Sequence, residues 1–190
     1  MSKYGKNIFT LKNVLIFTGV FIISLLCVNG EWVGAGRVSI ASGGAPLPDF
    51  QVFYQSTELI AMFDALGETG RDAYLIMNGV DFFFAVSYGF FYFFLLGFLA
   101  GKLFPKINNL RLIGLFGVAG ALFDIVENVA FREFARGVGN DALASIASIA
   151  TPFKFGCIMI SMSLVSMGLV TVGVKAIIVK AHSVSHLQSS

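Results

Sequence analysis

Four long apolar runs constrain this chain more than any other feature, because each is too long to be buried in a domain of this size. They cover about 13–29, 78–103, 110–131 and 152–179. A helix needs about 20 apolar residues to cross a bilayer. Inside hydrocarbon every backbone N–H and C=O must find its partner within the chain, so such runs are expected to be helices. Of 190 residues, 56% are hydrophobic and only 13% charged, about half the charge of an ordinary soluble domain. The expected fold is an all-α integral membrane bundle of four transmembrane helices. A short outer-side helix and loop segment, 30–77, would join the first two. The whole of 1–190 is expected to form a single membrane domain.

The first run, Asn13 to Val28, follows Lys3, Lys6 and Lys12. It reads as a retained span or as a secretory signal, with Val28 and Gly30 at the cleavage positions; the retained span is favoured. Glu31 to Gln55 holds four glycines and two prolines and is expected to be irregular or short extended chain. Ser56 is expected to cap a short amphipathic helix, stopped by Gly67 and lying on the membrane surface. A further helix starts near Thr69 and runs to Leu103. Lys102 to Asn109 reads as a basic turn, Arg132 to Asn140 as a loop, and Pro152 as the start of the fourth span. The tail with His182 and His186 is expected to fray.

Orientation follows from the basic residues. Lys3, Lys6, Lys12, Lys102, Lys106, Arg111, Lys175 and Lys180 would share one side. Glu31, Asp49, Glu58, Asp64, Glu68, Asp72, Glu133 and Asp141 would lie opposite. A multi-pass protein with both termini cytoplasmic, in a plasma or inner membrane, is expected.

The spans also carry polar residues where lipid would reject them. Arg71, Tyr74, Asn78, Asp81, Ala85, Tyr88 and Tyr92 recur every three or four residues, which puts them on one helix face. Gly114, Gly117 and Ala121 allow a close neighbour, and Asp124, Glu127 and Asn128 continue their stripe. Lys154, Cys157, Ser161, Leu164, Gly168, Thr171 and Lys175 repeat the spacing. By helix rise, Asp124 lies about 12 Å below Arg132 and Asp81 about 15 Å below Arg71. Asp81, Asp124, Glu127, Asn128 and Lys154 should therefore converge in the outer half of the bundle, below Arg71 and Arg132.

A charge in a span costs about 2.5–3.5 kcal/mol on insertion scales, so these acids need partners or a task. One reading is an outer-facing pocket that binds or transforms a lipid or small amphipathic ligand. If it is an enzyme, Asp81, Asp124 and Glu127 are the acid/base groups. Arg71, Tyr74, Asn78, Tyr88, Asn128, Arg132 and Lys154 would hold the ligand. A proton-coupled carrier or channel component is the second reading. A structural membrane subunit, whose acids form only a buried ion-pair network, is the third. The formal charge of +2 and the lack of a basic stripe argue against nucleic acid. No Ser–His or HExxH arrangement points to a hydrolase. No metal or cofactor is expected; Cys27 and Cys157 lack a CxxC neighbour and read as small apolar residues. Membrane lipids are the expected partners.

Gly70-Arg71-x-x-Tyr74, Asp81, Tyr88, Asp124-x-x-Glu127-Asn128 and Thr151-x-x-Lys154, preceded by Asp49 and Tyr54-x-Ser56-x-Glu58, form one series. In this series the chain resembles a family of uncharacterised small four-helix integral membrane proteins, mostly bacterial. The resemblance runs from about Asp49 to Lys154. It departs at Val86-Ser87, where a proline is expected before Tyr88, and it implies a four-helix fold without implying an activity.

Overall fold

The computed structural model describes residues 8–48 and 53–188, the last ten by their backbone. Lys3, Lys6 and Asp49 lie outside the described residues, as do the side chains of Lys180, His182 and His186. Among the described residues six α-helices follow in order: α1 (Leu11–Asn29), α2 (Ala35–Ala41), α3 (Ser56–Ala65), α4 (Gly67–Leu103), α5 (Leu115–Ala135) and α6 (Asp141–Gln188). A 3₁₀ turn at Asn108–Gly114 leads into α5, and no strand occurs among the described residues. Four segments of the described residues are long and apolar enough to cross a membrane: Leu11–Asn29, Gly67–Leu103, Asn108–Ala135 and Asp141–Ile178. Together they point to a multi-pass membrane protein.

The helices start earlier and run longer than hydropathy alone implies. The fourth begins at Asp141, not at Pro152, and Pro152 lies inside it. Proline removes one internal hydrogen bond and crowds the carbonyl four residues back, but Thr151 before it is fully buried and Phe153 after it stacks on Phe123, and the helix continues through it. Arg132 to Asn140 is not all loop, because α5 runs to Ala135. The tail does not fray but is helical to Gln188. Within 31–55, expected to be irregular, Ala35–Ala41 forms α2. Its first residues lie close under α1: a Cβ on Gly34 would meet the Val28 carbonyl oxygen at 2.2 Å.

The cap of α3 is Gln55, not Ser56. Gln55 and Glu58 satisfy each other's backbone groups in a capping box. Gly67, at φ +66°, takes the left-handed conformation that lets α4 follow α3 directly. Helix α3 turns Leu59 and Phe63 into the protein, where both are fully buried. The reason is competition: α4, α5 and α6 all project past their apolar spans and offer α3 a protein core.

Two apolar cores result. The upper one joins Val38, Leu59, Phe63, Tyr74, Phe131, Phe134 and Ala147, from α2 through α6. The lower one joins Ala85, Tyr88, Tyr92, Leu96 and Ala121, with Phe21, Ile158 and Leu164 against it. Between them α4 and α5 approach closely, as their small residues imply: a Cβ on Gly117 would lie 2.3 Å from that of Tyr92, and one on Gly89 2.8 Å from that of Ala121. On the other side of α4, α1 is fastened by stacked rings, Phe17 on Phe94 and Phe21 on Phe91. The buried Ser24 and Ser87 hydroxyls share a hydrogen bond of 2.5 Å. Large apolar side chains such as Leu26 and Ile177 point outward from α1 and α6, as lipid contact requires.

Candidate functional site

The polar residues of α4, α5 and α6 fall in one layer between the two cores. On α4, Met77 belongs to the upper core and Ala85 to the lower, with Asn78 and Asp81 between them. On α5, Ala121 lies below and Ala130 above Asp124, Glu127 and Asn128. On α6, Ala147 lies above and Ile158 below Thr151 and Lys154. The three stripes thus meet at one level.

The layer has two halves. In the first, Lys154 Nζ donates to Glu127 Oε2 and, at 3.3 Å, to Asp124 Oδ1. The Thr151 hydroxyl donates to the other oxygen of Glu127. Glu127 is 1% exposed, and each of its carboxylate oxygens has a donor. This is how a buried charge survives: a close counter-ion plus hydrogen bonds to what is left over. The Lys154 ammonium also lies 5.0 Å from the centre of the Phe155 ring.

In the second half, Arg132 Nη1 donates to Asn78 Oδ1 at 3.3 Å and to the Leu75 carbonyl at 3.4 Å. Asn78 Nδ2 donates to the Asn128 carbonyl at 3.1 Å. Asn128 Nδ2 donates in turn to Asp81 Oδ2 at 2.9 Å. Each amide is held by its neighbour, so the relay fixes the direction in which Asn128 meets Asp81. Asp81 itself is only partly buried.

What exposes Asp81 is a cavity of about 410 Å³. Its polar wall is made by Asp81, Tyr88, Asp124 and Lys154. Asn29 at the end of α1 and Tyr92 on α4 also reach it, and the rest is apolar: Phe21 and Val28 from α1, Leu47 from the segment after α2, and Phe84, Phe155, Ile158 and Met162 from α4 and α6. The Tyr88 hydroxyl is buried and makes no hydrogen bond of acceptable geometry, although Asp124 is near enough to act on it electrostatically.

Of the residues selected from sequence, Asn78, Asp81, Tyr88, Asp124, Glu127, Asn128, Arg132 and Lys154 come together in this layer. Arg71 and Tyr74 do not join it. Arg71 bonds the Phe63 carbonyl and pairs with Asp64 at the surface, and Tyr74 packs edge-on against Phe63 in the upper core. The stripe of α4 carries on above the polar layer, and its upper members serve the contact with α3 instead. Sequence reasoning missed Thr151 as a partner of Glu127. The signal was present, since positions three apart on a helix share a face. It also missed the apolar walls from α1 and the segment after α2, which no periodicity within a single helix can reveal.

Among the described residues no group of His, Cys, Asp and Glu is arranged to hold a metal ion. Comparison with protein-family models, with curated proteins and with solved structures finds no match to this chain.

Proposed function

We propose that the protein binds, or chemically transforms, a lipid or small amphipathic ligand in this cavity. One observation carries the reading: a carboxylate-bearing wall faces a space whose other side is lined mainly by hydrocarbon side chains, with Asn29 at its edge. That is the complement of a molecule with a small polar head and an apolar body. Asp81 and Asp124 are the acid/base or head-binding groups. Asn128 directs Asp81, and Tyr88 offers a hydroxyl. Glu127, satisfied by Lys154 and Thr151, supports the layer from behind.

A structural role for the whole acidic set is favoured by the completeness of the Glu127–Thr151–Lys154 cluster. It accounts less well for Asp81, which touches only an amide, and for a hydroxyl left unbonded at Tyr88. Against a proton-coupled carrier stands the lower core, where Leu96, Leu99 and Leu164 follow Tyr92 without a continuing polar path.

The two readings part at Asp81. Purified protein carrying Asp81→Asn should unfold within about 1 kcal/mol of the unaltered protein, because the amide still fits beside Asn128. It should lose the lipid species that mass spectrometry finds enriched on the unaltered protein. If extraction yields only the bulk membrane lipids from both, the ligand reading fails.

The cavity lies in the half of the bundle that we assign to the outer leaflet. Lys12, Lys102, Lys106, Arg111 and Lys175 sit at one end of the spans; Glu31, Glu58, Asp64, Glu68, Glu133 and Asp141 sit at the other. The second end also holds Arg37, Arg71, Arg132 and Arg136, but among the described residues the lysines other than the buried Lys154 are confined to the first. Because basic residues favour the cytoplasmic face, we assign both termini to the cytoplasm, in a plasma or inner membrane. About 22 residues of α4 separate Asp81 from Leu103, a rise of about 33 Å, close to a full hydrocarbon thickness. In intact cells, with the native cysteines replaced, an impermeant thiol reagent should label Thr57→Cys and spare Lys106→Cys. The reverse pattern would turn the assignment over.

A further inference from the structure

The ligand-pocket reading can be carried to a ligand class, and the following rests on it. We infer that the cavity takes a protonated long-chain amine, admitted sideways from the lipid between α1 and α6. The first support is the balance of charge in the wall. Three carboxylates, Asp81, Asp124 and Glu127, share one ammonium. Lys154 donates its hydrogen bonds to Glu127 and Asp124 and reaches Asp81 only through its field, which leaves Asp81 with an amide as its hydrogen-bond donor. A wall so rich in acceptors repels an anionic head and lacks one thing, a cation bearing hydrogens.

The second support is independent of charge. Tyr88 is 2% exposed and lines the cavity, and its hydroxyl, though turned toward Asp124, makes no hydrogen bond of good geometry. A buried hydroxyl without a partner is costly. A head with several N–H donors satisfies the Tyr88 oxygen and Asp81 together, which a lone hydroxyl with its single hydrogen cannot do.

The route follows from packing. Helix α1 lies on α4 and touches α2, whereas α6 lies on α5 and α4; no extensive contact joins α1 to α6. The cavity sits in that gap, with Phe21 and Val28 on one side and Phe155 and Met162 on the other. Phe155 and Met162 are 39% and 55% exposed, so the apolar side of the cavity is continuous with the lipid-facing surface. Above it, Ala35 and Leu47 stand between the cavity and the cap, with Asn29 of α1 beside them.

Photo-crosslinking tests this in phosphatidylcholine nanodiscs, with hexadecylamine, hexadecanoic acid and hexadecanol each carrying a mid-chain diazirine. The amine should label the α1 and α6 segments around Phe21 and Met162 about tenfold more than the acid or the alcohol, as expected for a charge-assisted hydrogen bond. Asp81→Asn should remove that preference, Asp81→Glu should retain it, and Tyr88→Phe should weaken it with unfolding unchanged. Should Asp81→Asn not fold, the Tyr88→Phe result decides in its place. Equal labelling of the cavity by all three probes, or a preference indifferent to these substitutions, overturns the amine while the lipid pocket stands. Labelling of the outer lipid-facing surface alone, by every probe, overturns both.

Discussion

Lys154→Met will lower the stability of the folded protein in detergent by about 3–5 kcal/mol, the cost of leaving a buried charge without its counter-ion. Methionine matches the lysine stem in length, so packing in the layer is disturbed little and the loss reports electrostatics. Two carboxylates, Asp124 and Glu127, are stranded at once. Adding Glu127→Gln should recover much of the loss, because glutamine keeps an oxygen for the Thr151 hydroxyl and carries no charge. Thermal or denaturant unfolding followed by the fluorescence of Trp32, the single tryptophan, would measure both. If Lys154→Met alone stays within about 1 kcal/mol of the unaltered protein, the three-residue cluster does not hold the helices together. Glu127 would then need another explanation.

The second large effect concerns a position with no side chain. Gly117→Leu places a branched side chain where the Tyr92 Cβ already stands. The clash involves atoms next to two helix backbones, which rotamer changes cannot relieve, so α4 and α5 must separate. Overpacking typically costs about 1–3 kcal/mol. Here we expect the upper end of that range, together with loss of the Asn128–Asp81 hydrogen bond, which spans the same seam. The checks are unfolding in detergent and reactivity toward a small thiol reagent of a cysteine placed at Ala121. Unaltered stability with Ala121→Cys still protected would show that the close approach is not required.

Much of this architecture was legible because the bilayer imposes one rule on every residue: polar groups turn inward. The α4 stripe is the clearest example. Asn78, Ala85, Tyr88 and Tyr92 are buried, as a spacing of three and four demands. Gly117 and Ala121 announced the seam with α4 in the same way. The rule lapses toward the end of a helix. Arg71 and Tyr74 lie on the same geometrical stripe, yet in the first turns of α4 a stripe can face any neighbour, and these two face α3. The boundaries of α5 and α6 were misplaced for a related reason. Hydropathy marks where a helix leaves lipid, while the helix itself continues as long as protein packs on it, as Phe134 and Ala144 do in the upper core. The cavity could not be read at all. It is a space between helices, set by how far α1 stands from α6, and no residue encodes that distance alone.

Proline at position 152 sits within α6 one residue after Thr151 and two before Lys154. It has no N–H to offer the carbonyl of Ser148, so one rung of the ladder is missing at the level of the carboxylates. Helices bend most readily where a rung is lost. The Ser148 hydroxyl meanwhile ties the upper stretch to the backbone of Tyr54 through two hydrogen bonds. Mechanically, α6 is therefore two rods in series, the upper one anchored and the lower one carrying Phe155, Ile158 and Met162. Under the proposed ligand-binding role, a bulkier guest would be accommodated by swinging the lower rod outward, with the joint above it held still.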